Sequence, residues 1–361
     1  MSTQVEQIAA LRSVGFADHE ARFLYLVATH SGYFTRRQFL AFTAKSKGWA
    51  AQHFTARLLR LAYARAVEYG RQTYVYNLYS RRIYDVIDKT NVRNRRRLSR
   101  LAVHVRLLNL DFVLAHANEC YLETEAQKVA YFRDRLGVPP SVLPGRIYRS
   151  RQSDLSTTTR HFVDRFPIFL PGPDNPLSLP PAVTFTYCDT SQYDIFAYAS
   201  HLRSYRRLLG RLPAFNFVYA SADPAKFQRA ATFFEHLFDD PHEIDAHHLV
   251  HYFQLRLLWE THRTGMLTRA DRDFLRAGDI RYRGEPFQST YRKWSTTGLS
   301  DADIEALLGP PKIRQKRRFA TYALPENYDI FLAEPRLVAD REAHGQCSAS
   351  GSTSRSVVTH G

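Results

Sequence analysis

Apolar residues recur at helical spacing over residues 17–30 (ADHEARFLYLVATH), where Phe23, Leu24 and Val27 share a face, and the spacing predicts a first helix. A break follows at Ser31-Gly32. Thr35-Arg36-Arg37-Gln38 has capping-box form and predicts a short second helix to about Phe42. Ser46-Lys47-Gly48 turns the chain into a third helix over residues 48–62. Ala50, Phe54, Leu58 and Leu61 are expected on its inner face, with Trp49, Gln52, His53, Ala56 and Arg60 opposite. The pattern then alternates. Residues 66–69 and 74–78 flank Gly70-Arg71-Gln72-Thr73, the form of a β-hairpin with glycine at its turn. Helix, short helix, helix and hairpin is the order of a winged helix-turn-helix, whose third helix enters the major groove while the wing lies over phosphate.

Beyond the hairpin, helical spacing covers residues 98–117 and 125–136, the latter capped by Thr124 and Gln127. Residues 138–158 read as connector. Short apolar runs at 166–170, 183–188 and 215–219 have strand length, and helical patterns at 192–210 and 224–238 alternate with them. Strand, helix, strand, helix implies a right-handed crossover and a parallel pair, hence an α/β domain. Two helices across residues 247–277 follow, the second capped by Thr268 and Asp271. Ser300 and Asp303 start a short one that Pro310-Pro311 stops. The expected division is a winged helix over 1–90, a helical connector over 91–158, an α/β domain with helical extension over 159–335 and a disordered Gly/Ser/Thr-rich tail over 336–361. The fold class is α+β overall.

Charge sharpens this picture. The 361 residues hold 50 Lys/Arg against 35 Asp/Glu, a net +15. Residues 1–111 hold 19 of the bases and only 7 of the acids, so the excess belongs to the N-terminal third and points to an anionic partner. The residues expected to contact DNA are Arg36, Arg37, Lys45 and Lys47 before the third helix, Trp49, Gln52, His53, Arg57 and Arg60 on it, and Arg71 at the wing. A second run, Arg93, Arg95, Arg96 and Arg97, is expected to open the next helix as a phosphate clamp. Lys312-Ile313-Arg314-Gln315-Lys316-Arg317-Arg318 reads as a solvated segment. No stretch reaches the ~18–20 apolar residues of a membrane span. The polar residues 1–6 do not form a signal peptide, and Cys120, Cys188 and Cys347 are too dispersed for a disulfide framework or zinc site. A cytoplasmic protein without membrane contact is expected.

Four segments add a resemblance: LDFVLAHANECYLETEAQKVAYF (110–132), LP (143–144), TTTRHFVDRFPIFLP (157–171) and AVTFTYCDTSQYDIFAYASHLRSYRRLL (182–209). With the basic N-terminal third they resemble the replication-relaxation family of plasmid and mobile-element proteins. The resemblance implies a role in plasmid mobilisation or replication, a second domain similar to the restriction-endonuclease-like fold, and a relaxase or replication protein as partner. Catalysis by such a fold needs an acid and then acid-x-Lys to hold Mg²⁺. Here Tyr187-Cys188-Asp189 ends the strand, Pro180-Pro181-Ala182 precedes it, and Asp194 lies too far along to restore the pair. A nuclease-like domain without catalytic residues, metal or cofactor is therefore expected. Glu243, His247 and His251 share a helical face but lack the His-Glu-x-x-His order of a metalloprotease. The expectation is a sequence-preferring double-stranded DNA-binding protein, with homodimer formation open. A metal-dependent DNA-nicking enzyme and a transcriptional repressor of its own element are the alternatives.

Overall fold

The first helix, α1 (Gln4–Ser13), is one that hydrophobic spacing does not announce, because it buries only Gln7 and Leu11; a capping box between Thr3 and Glu6 starts it. The computed structural model describes residues 3–332 except 47, 70–72, 91, 150–156, 165, 173–181, 191–193, 239–245, 301–302 and 305–314. After α2 (Asp18–Leu26) and one π turn, Gly32 reverses the chain at φ +78°, where a Cβ would also fall onto the Asn94 carbonyl. Next come β1 (Tyr33–Phe34), α3 (Arg36–Phe42), α4 (Gly48–Arg60), β2 (Ala64–Glu68), β3 (Tyr74–Leu78) and α5 (Arg81–Val86). The Thr35–Gln38 capping box forms as its sequence predicts, and β2 and β3 pair antiparallel with β1 on the far side of β3.

Stacked and edge-on aromatics fill the core beneath α4. Phe39 and Phe54 stack at 4.2 Å, and Phe23 meets Phe34 and Phe39 edge-on at 5.3 and 5.2 Å. The buried stripe of α4 is Ala51, Phe54, Thr55 and Leu58, a correction to the expected one: Ala50 is half-buried and Leu61 exposed. Thr55 is tolerated there because its hydroxyl donates to the Ala51 carbonyl at 2.9 Å and accepts from Arg36 Nε at 3.1 Å.

The long helix α6 (Arg100–Ala115) begins at its Ser99 cap, after the basic run rather than with it. Residues 93–95 form a 3₁₀ turn that Asn94 staples down, donating to the Ala28 and Thr29 carbonyls at 2.9 and 2.7 Å. Beyond α6 lie β4 (Cys120–Tyr121) and α7 (Glu125–Ala130), which a π turn prolongs to Arg135. The expected connector contains a two-stranded ribbon of β5 (Gly145–Arg149) and β6 (Thr157–His161). Then follow β7 (Ile168–Leu170), β8 (Val183–Cys188), α8 (Phe196–Leu209), β9 (Ala214–Ser221), α9 (Phe227–Phe238), α10 (Ala246–Glu260), α11 (Arg269–Arg281), α12 (Phe287–Thr297) and β10 (Lys316–Ala323).

The larger sheet has the order β10-β9-β8-β7-β4, and β8, β9 and β10 run parallel. The parallel β8–β9 pair is as expected. In the part of the basic run that is described, Gln315 to Arg318, Lys316 begins an edge strand rather than a loop, and the exposed Lys316 and Arg318 suit that position. Helices α8 and α9 cover one face, where Phe185, Tyr187 and Phe217 meet Tyr198, Leu202 and Phe233; α6 covers the other with Leu108 and Phe112 against Phe169 and Cys188. Helices α10 to α12 enclose a separate cluster around Leu249, Phe253 and Tyr291.

Helix α6 touches both halves of the chain, and Asp111 sits in that junction. Gln38 Nε2 donates to its Oδ1 at 2.8 Å and to the Leu107 carbonyl at 2.9 Å, and the Tyr328 hydroxyl donates to its Oδ2 at 2.7 Å. Nearby, Arg37 pairs with Glu326 and His104 contacts the Asn327 carbonyl. Burial pushes the Asp111 carboxyl up to about 6, against the pull of its two hydrogen bonds. Between the ordinary carboxyl value of about 4 and 6, the folded chain holds a proton that the unfolded chain has lost. Stability from this group is therefore present at the acid side and declines as pH rises through 6. Urea unfolding across pH 4.5–7.5 should show this decline relative to Asp111→Asn, which lacks the ionisation. Asp111→Ala, leaving two buried donors unsatisfied, should cost about 2–4 kcal/mol.

Candidate nucleic-acid interface

The 3.6-residue repeat of α4 turns Trp49, Gln52, His53, Ala56 and Arg60 to solvent, the face that the sequence reading assigned to them. Trp49 is 61% exposed and meets the His53 ring edge-on at 5.7 Å. A single exposed aromatic on a surface is ordinary. What sets this one apart is its company. Lys45, His53 and Arg60 line a shallow cleft of about 380 Å³ with it, and Lys45 Nζ lies 2.9 Å from His19 Nε2 across the opening. Among the described residues, the side chains of Gln52, His53 and Arg60 make no hydrogen bond or ion pair. The cleft thus offers an aromatic face and cationic groups, with Glu20 at its wall, and Gln52 stands exposed on the same helix outside it. His19 was not anticipated, because a histidine in a first helical turn carries no distinguishing sequence signal.

Other expected contacts are engaged within the protein. Arg57 turns back from α4, donating from Nη2 to the Gly15 carbonyl at 2.7 Å and from Nη1 to Glu20 at 3.4 Å, with its guanidinium 4.6 Å over the Phe16 ring. Arg36 bonds Thr55 and lies over Tyr76 and Tyr74 at 5.5 and 6.0 Å, bracing α3 against α4 and the hairpin. Arg37 is turned to Glu326. Lys47 and Arg71 lie outside the described residues. In the second basic run Arg96 and Arg97 are exposed, Arg95 is half-buried, and Arg93 borders a cavity on the other side of the Asn94 staple. Tyr33 anchors the end of this run, donating from its hydroxyl to the Arg96 carbonyl at 2.8 Å and accepting from the Leu98 N–H at 3.0 Å.

The carboxylates weighed for metal chemistry sit in separate ion-pair networks. Asp189 is 5% exposed, and its Oδ2 accepts from Lys226 Nζ at 2.8 Å and Tyr219 Oη at 2.9 Å. Asp194 faces Arg229 and Arg269, and the Arg229 hydrogen bond brings its carboxyl down to about 2. A third carboxylate escaped the sequence reading. Asp164 accepts from His201 Nδ1 and from the Tyr205 hydroxyl, each at 3.0 Å, and the His201 ring in turn meets those of Phe166 and Tyr187 at 5.1 Å. Burial works against its charge, but His201, Lys128 and Tyr205 outweigh it and hold its carboxyl below the usual range. Among the described residues no three His, Cys, Asp or Glu side chains gather as a metal site. His248 accepts from or donates to the Tyr282 hydroxyl at 2.7 Å and His251 packs on Phe274, while His242 and Glu243 lie outside the described residues. Pro180 and Pro181 do as well.

No family model matches the chain, and neither do curated proteins or solved structures.

Because Arg57 and Arg60 share a helix but not a role, they separate by experiment. Arg57→Ala should lower unfolding free energy by about 1–2 kcal/mol through the lost Gly15 bond and ring contact. Arg60→Ala should stay within about 0.5 kcal/mol of the parent. Urea denaturation of both variants reads the difference.

Proposed function

We propose that this chain is a sequence-preferring double-stranded DNA-binding protein in which α2, α3, α4 and the β2–β3 hairpin work as a winged helix. The observation that carries the reading is the solvent face of α4, where Gln52, His53 and Arg60 make no hydrogen bond or ion pair with the described residues, and where His53 and Arg60 line a cleft with Trp49 and Lys45. A helix of this length spans about 20 Å and fits the major groove, where amides pair with adenine and arginines with guanine or phosphate. The excess of bases in residues 1–111 supplies the sequence-independent part of the attraction. Rigidity supports the same reading: Arg36 and Arg57 hold α4 against its neighbours, so the helix meets DNA in one orientation.

The α/β half then serves as a docking body rather than a nuclease, since Asp189 and Asp194 are each committed to basic partners of their own. The resemblance to replication-relaxation proteins supplies the setting, mobilisation or replication of a mobile element, and a relaxase or replication protein as the docked partner.

Fluorescence anisotropy with duplexes from the DNA flanking the chain's own gene tests the reading. Combining Gln52→Ala, His53→Ala and Arg60→Ala should weaken binding at least tenfold while the melting temperature holds. The logarithm of the binding constant should fall linearly with that of salt, with a slope of about −4 if some four to five phosphates are neutralised. Parent-like binding by the triple variant, or a slope near zero, would overturn it.

A further inference from the structure

A cavity of about 910 Å³ lies away from the α4 face, between the π turn after α2, the Asn94 staple, α6, α7 and the β5–β6 ribbon. Its volume is near the upper end of the roughly 300–1,000 Å³ range of small-molecule sites, which suits a ligand of several joined parts. Four cations line it, Arg93, Arg106, Lys128 and Arg160, against two carboxylates. Both carboxylates are already held. Glu123 accepts from Tyr25 and Lys89, and Glu125 accepts from Arg160 at 2.6 Å and from the His161 N–H at 2.7 Å. The field inside is therefore positive.

Aromatic rings line the same space. Phe162, Phe166 and Tyr121 are packed into the surrounding core, but Tyr148 is 46% exposed and has no ring partner among the described residues. It stands on β5, opposite Thr158 of β6, and both face the cavity. Among the described residues the ribbon pairs only with itself, and a lone two-stranded hairpin is marginally stable in water. Glu125 of α7 ties it to the rest, accepting from Arg160 and from the His161 N–H, and Leu143 and Phe162 at its two ends are buried in the core.

We propose that this cavity binds a nucleoside 5′-monophosphate, its phosphate among the cations and its base stacked on Tyr148. The binding itself is independent of the DNA reading. An effect on DNA affinity rests on it, since the π turn in one wall leads into β1, which pairs with β3 of the hairpin.

Thermal unfolding and equilibrium dialysis of the full chain with AMP, GMP, CMP and UMP test the assignment. At least one should raise the melting temperature by several degrees at millimolar concentration, whereas adenosine and inorganic phosphate alone should not. Two variants should each weaken that nucleotide at least tenfold: Tyr148→Ala, and Ala126→Glu, which adds a carboxylate to the cavity in the first turn of α7, where helix polarity favours it. Both should melt like the parent without ligand. No shift with any nucleotide, an equal shift with adenosine or phosphate, or undiminished binding by both variants overturns the proposal. Nucleotide binding by a chain that fails to bind any duplex would leave the cavity assignment standing and overturn the DNA reading instead.

Discussion

Burial of α6 on both sides, with a carboxyl group at its centre, is the constraint on which the other arrangements depend. From Val103 to Val113 the helix is buried nearly all round, polar His104, Arg106, Asn109 and Asp111 included, and here the N-terminal helices cover one side and the five-stranded sheet the other. Asp111 specifies how these three layers meet, because Gln38 and Tyr328 have to converge on it from opposite ends of the chain. The same Gln38 closes the cap of α3. One amide therefore starts a helix and fixes its docking, and the orientation of α4 follows.

Arginine does two jobs in this molecule, and composition cannot separate them. Arg36, Arg37 and Arg57 bond carbonyls, hydroxyls, rings and carboxylates of the protein itself. Arg60, Arg96 and Arg97 stay at the surface. The positive charge of all six reaches solvent to some extent, so the braces still contribute to the long-range field while the others extend into solvent.

What was legible in the residues was whatever depends on near neighbours. Capping boxes at Thr35, Thr124 and Thr268 formed, as did the hairpin and the parallel pair of β8 and β9, because each follows from spacing of a few residues. The outward set on α4 was legible for the same reason, although the inner stripe was displaced by Thr55, whose partner lies nineteen residues away. β10 was illegible because an exposed edge strand rich in arginine has the same composition as a loop; Phe319, packed on Phe234, and Tyr322, packed on Phe112, betray it. α1 buries too little to show a period. The cavity could not be read at all, since its walls come from six separated stretches.

The last strand of the large sheet has a consequence for how the chain is made. β10 lies beside β9 although about a hundred residues separate them, and Tyr328 reaches Asp111 across more than two hundred. While the chain emerges from the ribosome, the N-terminal helices can fold early around their own aromatic core, but the edge of β9 stays bare and Asp111 lacks half its donors until residue 328 is out. Contacts so distant in sequence close slowly. Throughout that interval the nascent protein presents an open parallel edge, the kind of surface that chaperones guard against unwanted strand pairing.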